Sequence, residues 1–511
     1  MDILAFTLYF IAMIAIGIFF FFKSKEATEK DYFLGGRAMG PWVTAMSAQA
    51  SDMSAWLLMG LPGSILAFGF GQAWIGIGLA IGTAANWILV AKRLRKFSKA
   101  AGDSITLPQY LSNRFASKSH AVSIICAAVF LVCFTIYVAS AFVAGADVFT
   151  TLVPTLAREN AMLIFAIIVV LYTFLGGFSA VCWTDFFQGL LMLGALLIVP
   201  IVVGFTRELD PLALSTVYTG PNGEQFAFVA NFFNASWQDI LSGLGWGLGY
   251  FGMPHIIVRF MAIEKPSMVK KSATVAIIWV ILSLGAAIVI AYFGRMFVYS
   301  NGVDLSKALL SEGKQSLIFV ELARDVFPAF ISGILLAAII AASMSTADSQ
   351  LLVAASSFSS DLYKPIIRKN ASNKEMLWVS RFVVLVIAVI AFFIASSKGK
   401  AAQAIMDLVS NAWGIFGAAF GPAVLLSLFW KRFTYKGAVW GIVVGALVDM
   451  LWLWLPVFGG LTLTAVTGVY EIIPGFIIGG IAAIIAALLD KAPTQEVIAI
   501  FDKATDNSID D

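Results

Sequence analysis

Charge, histidine and cysteine are scarce in this 511-residue chain. Only 12% of its residues are charged, about half the share of a soluble domain. Two histidines, His120 and His255, are too few for an imidazole metal cluster. The three cysteines, Cys126, Cys133 and Cys182, lie in apolar stretches without paired spacing. That excludes a disulfide framework and a zinc site. No GxxxxGK[ST] loop occurs, so the chain has no phosphate cradle for ATP-driven work. Thirty-three basic and 30 acidic residues leave a net charge of +3, without the basic excess of a nucleic-acid binder. No nucleophile–base or metal arrangement points to an enzyme.

What the chain has is oil: 60% of its residues are hydrophobic, with 43 phenylalanines. A helix crosses a bilayer with about 20 apolar residues. Thirteen such runs can be read: 2–22, 42–70, 73–91, 121–150, 160–181, 183–206, 238–258, 272–299, 328–355, 375–397, 403–430, 436–458 and 470–489. The fold class is therefore an all-α polytopic membrane protein. The first run has no basic residue before it and no clear cleavage site, and reads as a retained helix. With the N-terminus outside and the C-terminus in the cytoplasm, 24 Lys and Arg fall in cytoplasmic segments against eight in external ones. Topology follows that bias. The cluster Lys92, Arg93, Arg95, Lys96 and Lys99 reads as an anchor to anionic lipid.

Two spans break the rules of the bilayer. The second contains Ser51-Asp52-Met53-Ser54, then Trp56-Leu57-Leu58-Met59-Gly60-Leu61-Pro62-Gly63. The seventh contains Trp246-Gly247-Leu248-Gly249-Tyr250-Phe251-Gly252, then Pro254-His255. Glycine and proline at that density disfavour a regular helix. Unwound backbone at membrane depth survives only where protein or a wet cavity receives it. The spans are five apart, so spans 2–6 and 7–11 read as two inverted repeats, each opening on a broken helix. Paired broken helices point to a secondary transporter's midplane site.

The ninth span adds a polar stripe. Ala342, Ser345, Thr346 and Ser349 share one helix face. The Ser345 and Thr346 hydroxyls, the Ala342 carbonyl and unwound carbonyls near Ala50 and Met53 suit a small hard cation such as Na⁺. Buried carboxylates mark function in a membrane. Asp52, in a broken helix, reads as a cation-binding or coupling group, and Asp348 lies on the hydroxyl stripe. Asp185 is a site candidate, or else a group favoured by a helix N-terminus. Asp407 and Asp449 read as packing or capping residues.

With these motifs the chain resembles the sodium:solute symporter family, and within it the proline-transporting branch. The likeness runs from Leu34-Gly35-Gly36-Arg37, through the two broken spans and Met344-Ser345-Thr346, to Tyr470-Glu471-Ile472-Ile473-Pro474-Gly475-Phe476. It implies a leucine-transporter-like 5+5 inverted repeat with 13 transmembrane helices. The expected parts are 1–40 (first helix and cytoplasmic loop), 41–206 and 207–430 (the repeats), 431–490 (helices 12–13) and 491–511 (cytoplasmic tail).

The resemblance implies a Na⁺ site at Ala50, Met53, Ala342, Ser345 and Thr346, with Asp52 at a position tied to high-affinity Na⁺ use. It implies an L-proline pocket at Ser54, Trp56, Tyr137, Trp246, Tyr250 and Pro254. Arg37 matches a position linked to coupling. Ala55 stands where this branch often has Gly, and Met253 where it often has Gln. Asp348 stands where a hydroxyl is often seen. With Ser345, Ser349 and Asp185 it is a candidate second cation site.

The expected activity is Na⁺-coupled uptake of L-proline by alternating access, across the cytoplasmic membrane of a bacterium. The expected partners are the solute and membrane lipid, with no nucleic acid and no obligate protein. Symport of another small solute (pantothenate, a sugar acid, another amino acid) and proton-coupled transport are the alternatives.

Overall fold

The computed structural model describes residues 2–23, 28–175, 177–397 and 404–506. Lys25, Lys398 and Lys400, all counted for orientation, lie outside them. The helices in order are α1 (Asp2–Lys23), α2 (Glu29–Leu34), α3 (Pro41–Asp52), α4 (Leu61–Phe68), α5 (Phe70–Ala85), α6 (Lys92–Ala100), α7 (Leu107–Arg114), α8 (Ala121–Leu152), α9 (Arg158–Leu175), α10 (Phe178–Thr206) and α11 (Trp237–Gly245). There follow α12 (Pro254–Ala262), α13 (Val269–Met296), α14 (Leu305–Ser311), α15 (Ile318–Val326), α16 (Ala329–Ser356), α17 (Asn373–Ser397), α18 (Ala404–Phe429), α19 (Tyr435–Trp454), α20 (Leu463–Thr467), α21 (Ile472–Leu489) and α22 (Gln495–Thr505). Among the described residues, nine helical stretches are long and apolar enough to cross a membrane.

The second and seventh apolar runs are interrupted where their composition demands it. In the second, α3 starts with Pro41 in its first turn, where a missing N–H costs nothing. It ends at Asp52 because Met53 leaves helical geometry (φ −84°, ψ 80°). The chain restarts through a π-helical turn, Trp56–Gly60, into α4. In the seventh, α11 tightens into a 3₁₀ stretch, Trp246–Phe251, and α12 restarts on Pro254. The ninth run is regular: α16 passes through the hydroxyl stripe without a break.

Two expectations fail. The turn expected at 181–183 lies inside α10, whose N-cap is Gly177. Gly177 opens α10, and the apolar residues 178–183 belong to that helix. Asp185 is thus two turns into α10, beyond reach of the terminal dipole. After Asp490, α22 packs on α6, with Phe501 edge-on to Phe97 at 5.3 Å. The basic cluster is not simply a lipid anchor. Arg95 is 3% exposed and donates to the carbonyls of Ile263 and Glu264, and Arg93 donates to the Leu428 carbonyl.

Each end of the bundle is tied by a buried arginine. At one end, Arg37 bonds Asp103 (2.8 Å), Ser98 (3.0 Å), the Ser104 carbonyl (2.7 Å) and the Met261 carbonyl. It thereby joins the segment before α3 to α6 and to the end of α12. Burial alone would raise the Asp103 carboxyl. A hydrogen bond from Lys30 and the charges of Arg37, Lys30 and Lys99 outweigh that and hold it below the usual carboxylate range. This latch is therefore complete above the ordinary carboxylate pKa and loosens only as acid protonates Asp103. At the other end, Arg295 of α13 is fully buried and donates to the carbonyls of Leu66, Ala213 and Thr216. The short hairpin Tyr218–Thr219 with Gln225–Phe226 folds over it. Arg295 is thus a staple between α13, α4 and the segment after α10.

Candidate functional site

The break after Asp52 rewires the backbone. In a continued helix the Ser54 N–H would bond the Ala50 carbonyl; here it bonds the Asp52 carbonyl at 3.1 Å. The Ala50 carbonyl is thereby released toward α16. It accepts from Ser345 Oγ at 2.8 Å, and the same hydroxyl lies 3.1 Å from the Ala342 carbonyl. One turn of α16 thus gathers the oxygens of Ala50, Ala342 and Ser345. Thr346 Oγ1 beside them is buried and without a hydrogen-bond partner. Met53, in the break, is fully buried. A buried hydroxyl left unbonded is unusual and asks for an explanation.

On the other side of the break lies an aromatic cage. Trp56 is 6.4 Å from Trp246, ring centre to ring centre. Tyr250 OH donates to Asp52 Oδ2 at 2.5 Å, and Tyr137 OH reaches the Asp52 carbonyl at 3.4 Å. Asp52 therefore turns its carboxyl toward the cage and pairs with no residue of α16. Ser54 lies in the break, with the Trp56 N–H 3.5 Å from its Oγ. Pro254 is buried and opens α12. The cage is closed to solvent: Trp56 and Tyr250 are 1% exposed and Trp246 5%.

Sequence reading missed two walls of this cage. Trp413 of α18 stacks on Trp246 at 6.3 Å, stands edge-on to Tyr250 at 5.1 Å and donates to the Trp246 carbonyl at 2.8 Å. Tyr470 stacks on Trp246 at 5.2 Å. The available signal was glycine: a Cβ on Gly249 would overlap the Trp413 indole. Gly249→Ala is expected to lower stability by about 1–3 kcal/mol through overpacking. Thermal unfolding of the detergent-solubilised protein measures this, and an unchanged midpoint would mean Trp413 does not seat there.

The proposed second cation site is already charged. Asp185 Oδ2 accepts from Ser47 Oγ at 2.7 Å and from Arg259 Nη2 at 3.0 Å. Arg259 also donates to Ser349 (2.6 Å), to Ser47 (3.0 Å) and to the His255 carbonyl. Ser349 in turn bonds Asp348 Oδ1 at 3.3 Å. The structure thus brings together Asp185, Asp348 and Ser349, but around a guanidinium. Arg259 lies one residue past the apolar run 238–258, where a loop is expected. It is 1% exposed, because α12 runs on to Ala262.

A family model described as the sodium:solute symporter family matches residues 32–445. The sodium/proline symporter of Salmonella typhimurium is 42% identical over 98% of this chain and 96% of its own length. The high-affinity proline transporter PutP of Bacillus subtilis is 41% identical over 97% of this chain and 99% of its own length. Among solved structures, a substrate-bound, outward-open Na⁺-coupled sialic acid symporter superposes with a TM-score of 0.71 at 19% identity. That match covers 97% of this chain and 99% of the other.

Proposed function

Because the chain belongs to the sodium:solute symporter family, we propose that it is a secondary active transporter coupling inward Na⁺ movement to uptake of L-proline. The observation that carries this reading is the Ser345–Ala50 bridge across the break in α3, next to the unpartnered Thr346 hydroxyl. Na⁺ enters among Ala50, Met53, Ala342, Ser345 and Thr346 and ties α3 to α16. Asp52 couples that site to the cage through Tyr250. L-proline lies in the cage of Ser54, Trp56, Tyr137, Trp246, Tyr250 and Pro254. Aromatic faces cover its apolar ring and attract its ammonium, while the freed backbone groups of both breaks suit its polar ends.

The architecture fits 13 membrane helices with two repeats, 41–206 and 207–430, flanked by 1–40, 431–490 and a cytoplasmic tail 491–511. The charge bias supports an external N-terminus in a bacterial cytoplasmic membrane. Arg37 then clamps the cytoplasmic side, and its release accompanies inward opening.

Arg259 suggests a stoichiometry of one Na⁺. A guanidinium bonded to Asp185 and Ser349 supplies the positive charge that a second ion would bring. One ion suffices: crossing about 100 mV contributes about 2.3 kcal/mol, and a tenfold Na⁺ gradient about 1.4 kcal/mol. Together these support accumulation of about 500-fold.

Trp246→Ala is expected to weaken L-proline binding by about 2 kcal/mol, roughly thirtyfold. Equilibrium binding to purified protein measures it, and wild-type affinity would move the pocket elsewhere. Competition among radiolabelled proline, pantothenate, sugar acids and other amino acids tests the choice of solute. Displacement of proline by one of the others at lower concentration would replace it.

A further inference from the structure

Two acids behind the cage have no counter-charge. Asp449 is fully buried, and neither of its carboxyl oxygens has a hydrogen-bond partner. It does not cap a helix, since α19 continues for a turn beyond it. Glu471, the N-cap residue of α21, is 2% exposed and accepts one bond, from Thr464 Oγ1 at 3.2 Å. The two converge on Gly414 of α18. A Cβ there would stand 2.9 Å from Asp449 Oδ2 and 3.4 Å from Glu471 Cγ.

No Lys, Arg or His faces the pair from α8, α18, α19 or α21 among the described residues. The other titratable groups near Asp449 are the Cys133 thiol of α8 and the Tyr470 phenol. Buried carboxylates without a counter-ion are among the costliest groups in a protein. Two side by side do not both ionise. A metal ion would need a shell of oxygens. Here Asp449, Glu471 and the Thr464 hydroxyl offer them, fewer ligands than such a shell takes.

The pair is wired to the cage at both of its contacts. Glu471 follows Tyr470, whose ring stacks on Trp246. Gly414 follows Trp413, which donates to the Trp246 carbonyl. We infer that Asp449 and Glu471 form a proton-binding site at the back of the cage, holding one proton that leaves to water when the Trp246–Trp413–Tyr470 wall rearranges around solute. The step breaks one carboxyl O–H bond and forms one hydronium, leaving both acids as carboxylates, a state that the rearranged wall permits by admitting water to them. The site itself stands apart from the transport reading, and only the solute-driven release rests on it.

Infrared spectroscopy of the purified full-length protein in heavy water tests the site. The wild type minus Asp449→Asn/Glu471→Gln difference spectrum is expected to show the carbonyl stretch of one protonated carboxyl group at neutral pH. No such band, or its loss on adding Na⁺ alone, would overturn the proton assignment. A second measurement needs no variant. Adding L-proline with Na⁺ to wild-type protein in weak buffer with a pH indicator is expected to release up to one proton per chain. Binding without release would overturn the linkage. Absence of proline binding would instead count against the solute, while the infrared result still decides the site.

Discussion

Ser345→Ala and Thr346→Ala are each expected to raise the Na⁺ concentration for half-maximal uptake by tenfold or more. Each removes one oxygen from a site that offers few. A hydrogen-bond-strength contact to a charge is worth about 1.5–3 kcal/mol, which corresponds to roughly ten- to hundredfold in affinity. The two variants should differ in a second respect. Ser345 already bonds the Ala50 carbonyl, so its loss strands a buried acceptor and costs stability as well, about 1–3 kcal/mol. Thr346 Oγ1 bonds nothing, so its loss should leave thermal stability near wild type. Thr346→Ser should restore Na⁺ dependence, since it keeps the oxygen. Na⁺ titration of uptake, normalised to protein in the membrane, decides the matter. An unchanged half-saturation in both variants would remove the site from α16.

Arg259→Leu is expected to destabilise the protein by about 3–5 kcal/mol, because it strands a buried carboxylate. The double variant Arg259→Leu/Asp185→Asn should recover much of that loss, as the charge and its partner then vanish together. Thermal unfolding of the four proteins closes the cycle. If single and double variants are equally unstable, the ion pair does not set the energy. Arg259→Gln, which keeps the polar volume, carries the functional half. With the guanidinium gone, Asp185, Asp348 and Ser349 become free to take an ion. The Na⁺ dependence of uptake should then steepen toward two ions per cycle. An unsteepened curve in a folded Arg259→Gln would mean the arginine does not stand in for a cation.

The legible parts of this site are those where composition contradicts the membrane. Asp52 and its serines, the glycines from Gly243 to Gly252 and the stripe on α16 are anomalies in oil, and each lies at a structural junction. The illegible parts are those that look ordinary in their surroundings. Trp413 is one aromatic in an apolar run, and only the glycine facing it at 249 betrays the contact. Arg259 looked like a loop charge because it falls just past the apolar run 238–258, while α12 runs on to Ala262. Asp185 looked like a helix start because the preceding run is apolar across the real break at Gly177. Asp449 looked idle because a buried acid's partner is a matter of three-dimensional packing. It sits across α18 from the cage, beside Glu471, 22 residues further along the chain. Arg295 shows the same limit, since nothing in the run 272–299 tells that its one arginine is the fully buried staple of one end.

The most direct measurement is uptake of radiolabelled L-proline by the purified protein in liposomes, with an inward Na⁺ gradient and an inside-negative potential. The account predicts accumulation above the external concentration that collapses when the Na⁺ gradient is dissipated, and half-saturation in Na⁺ that shifts in Thr346→Ala. Uptake driven equally well without Na⁺ by a proton gradient, or equilibration without accumulation, would contradict it.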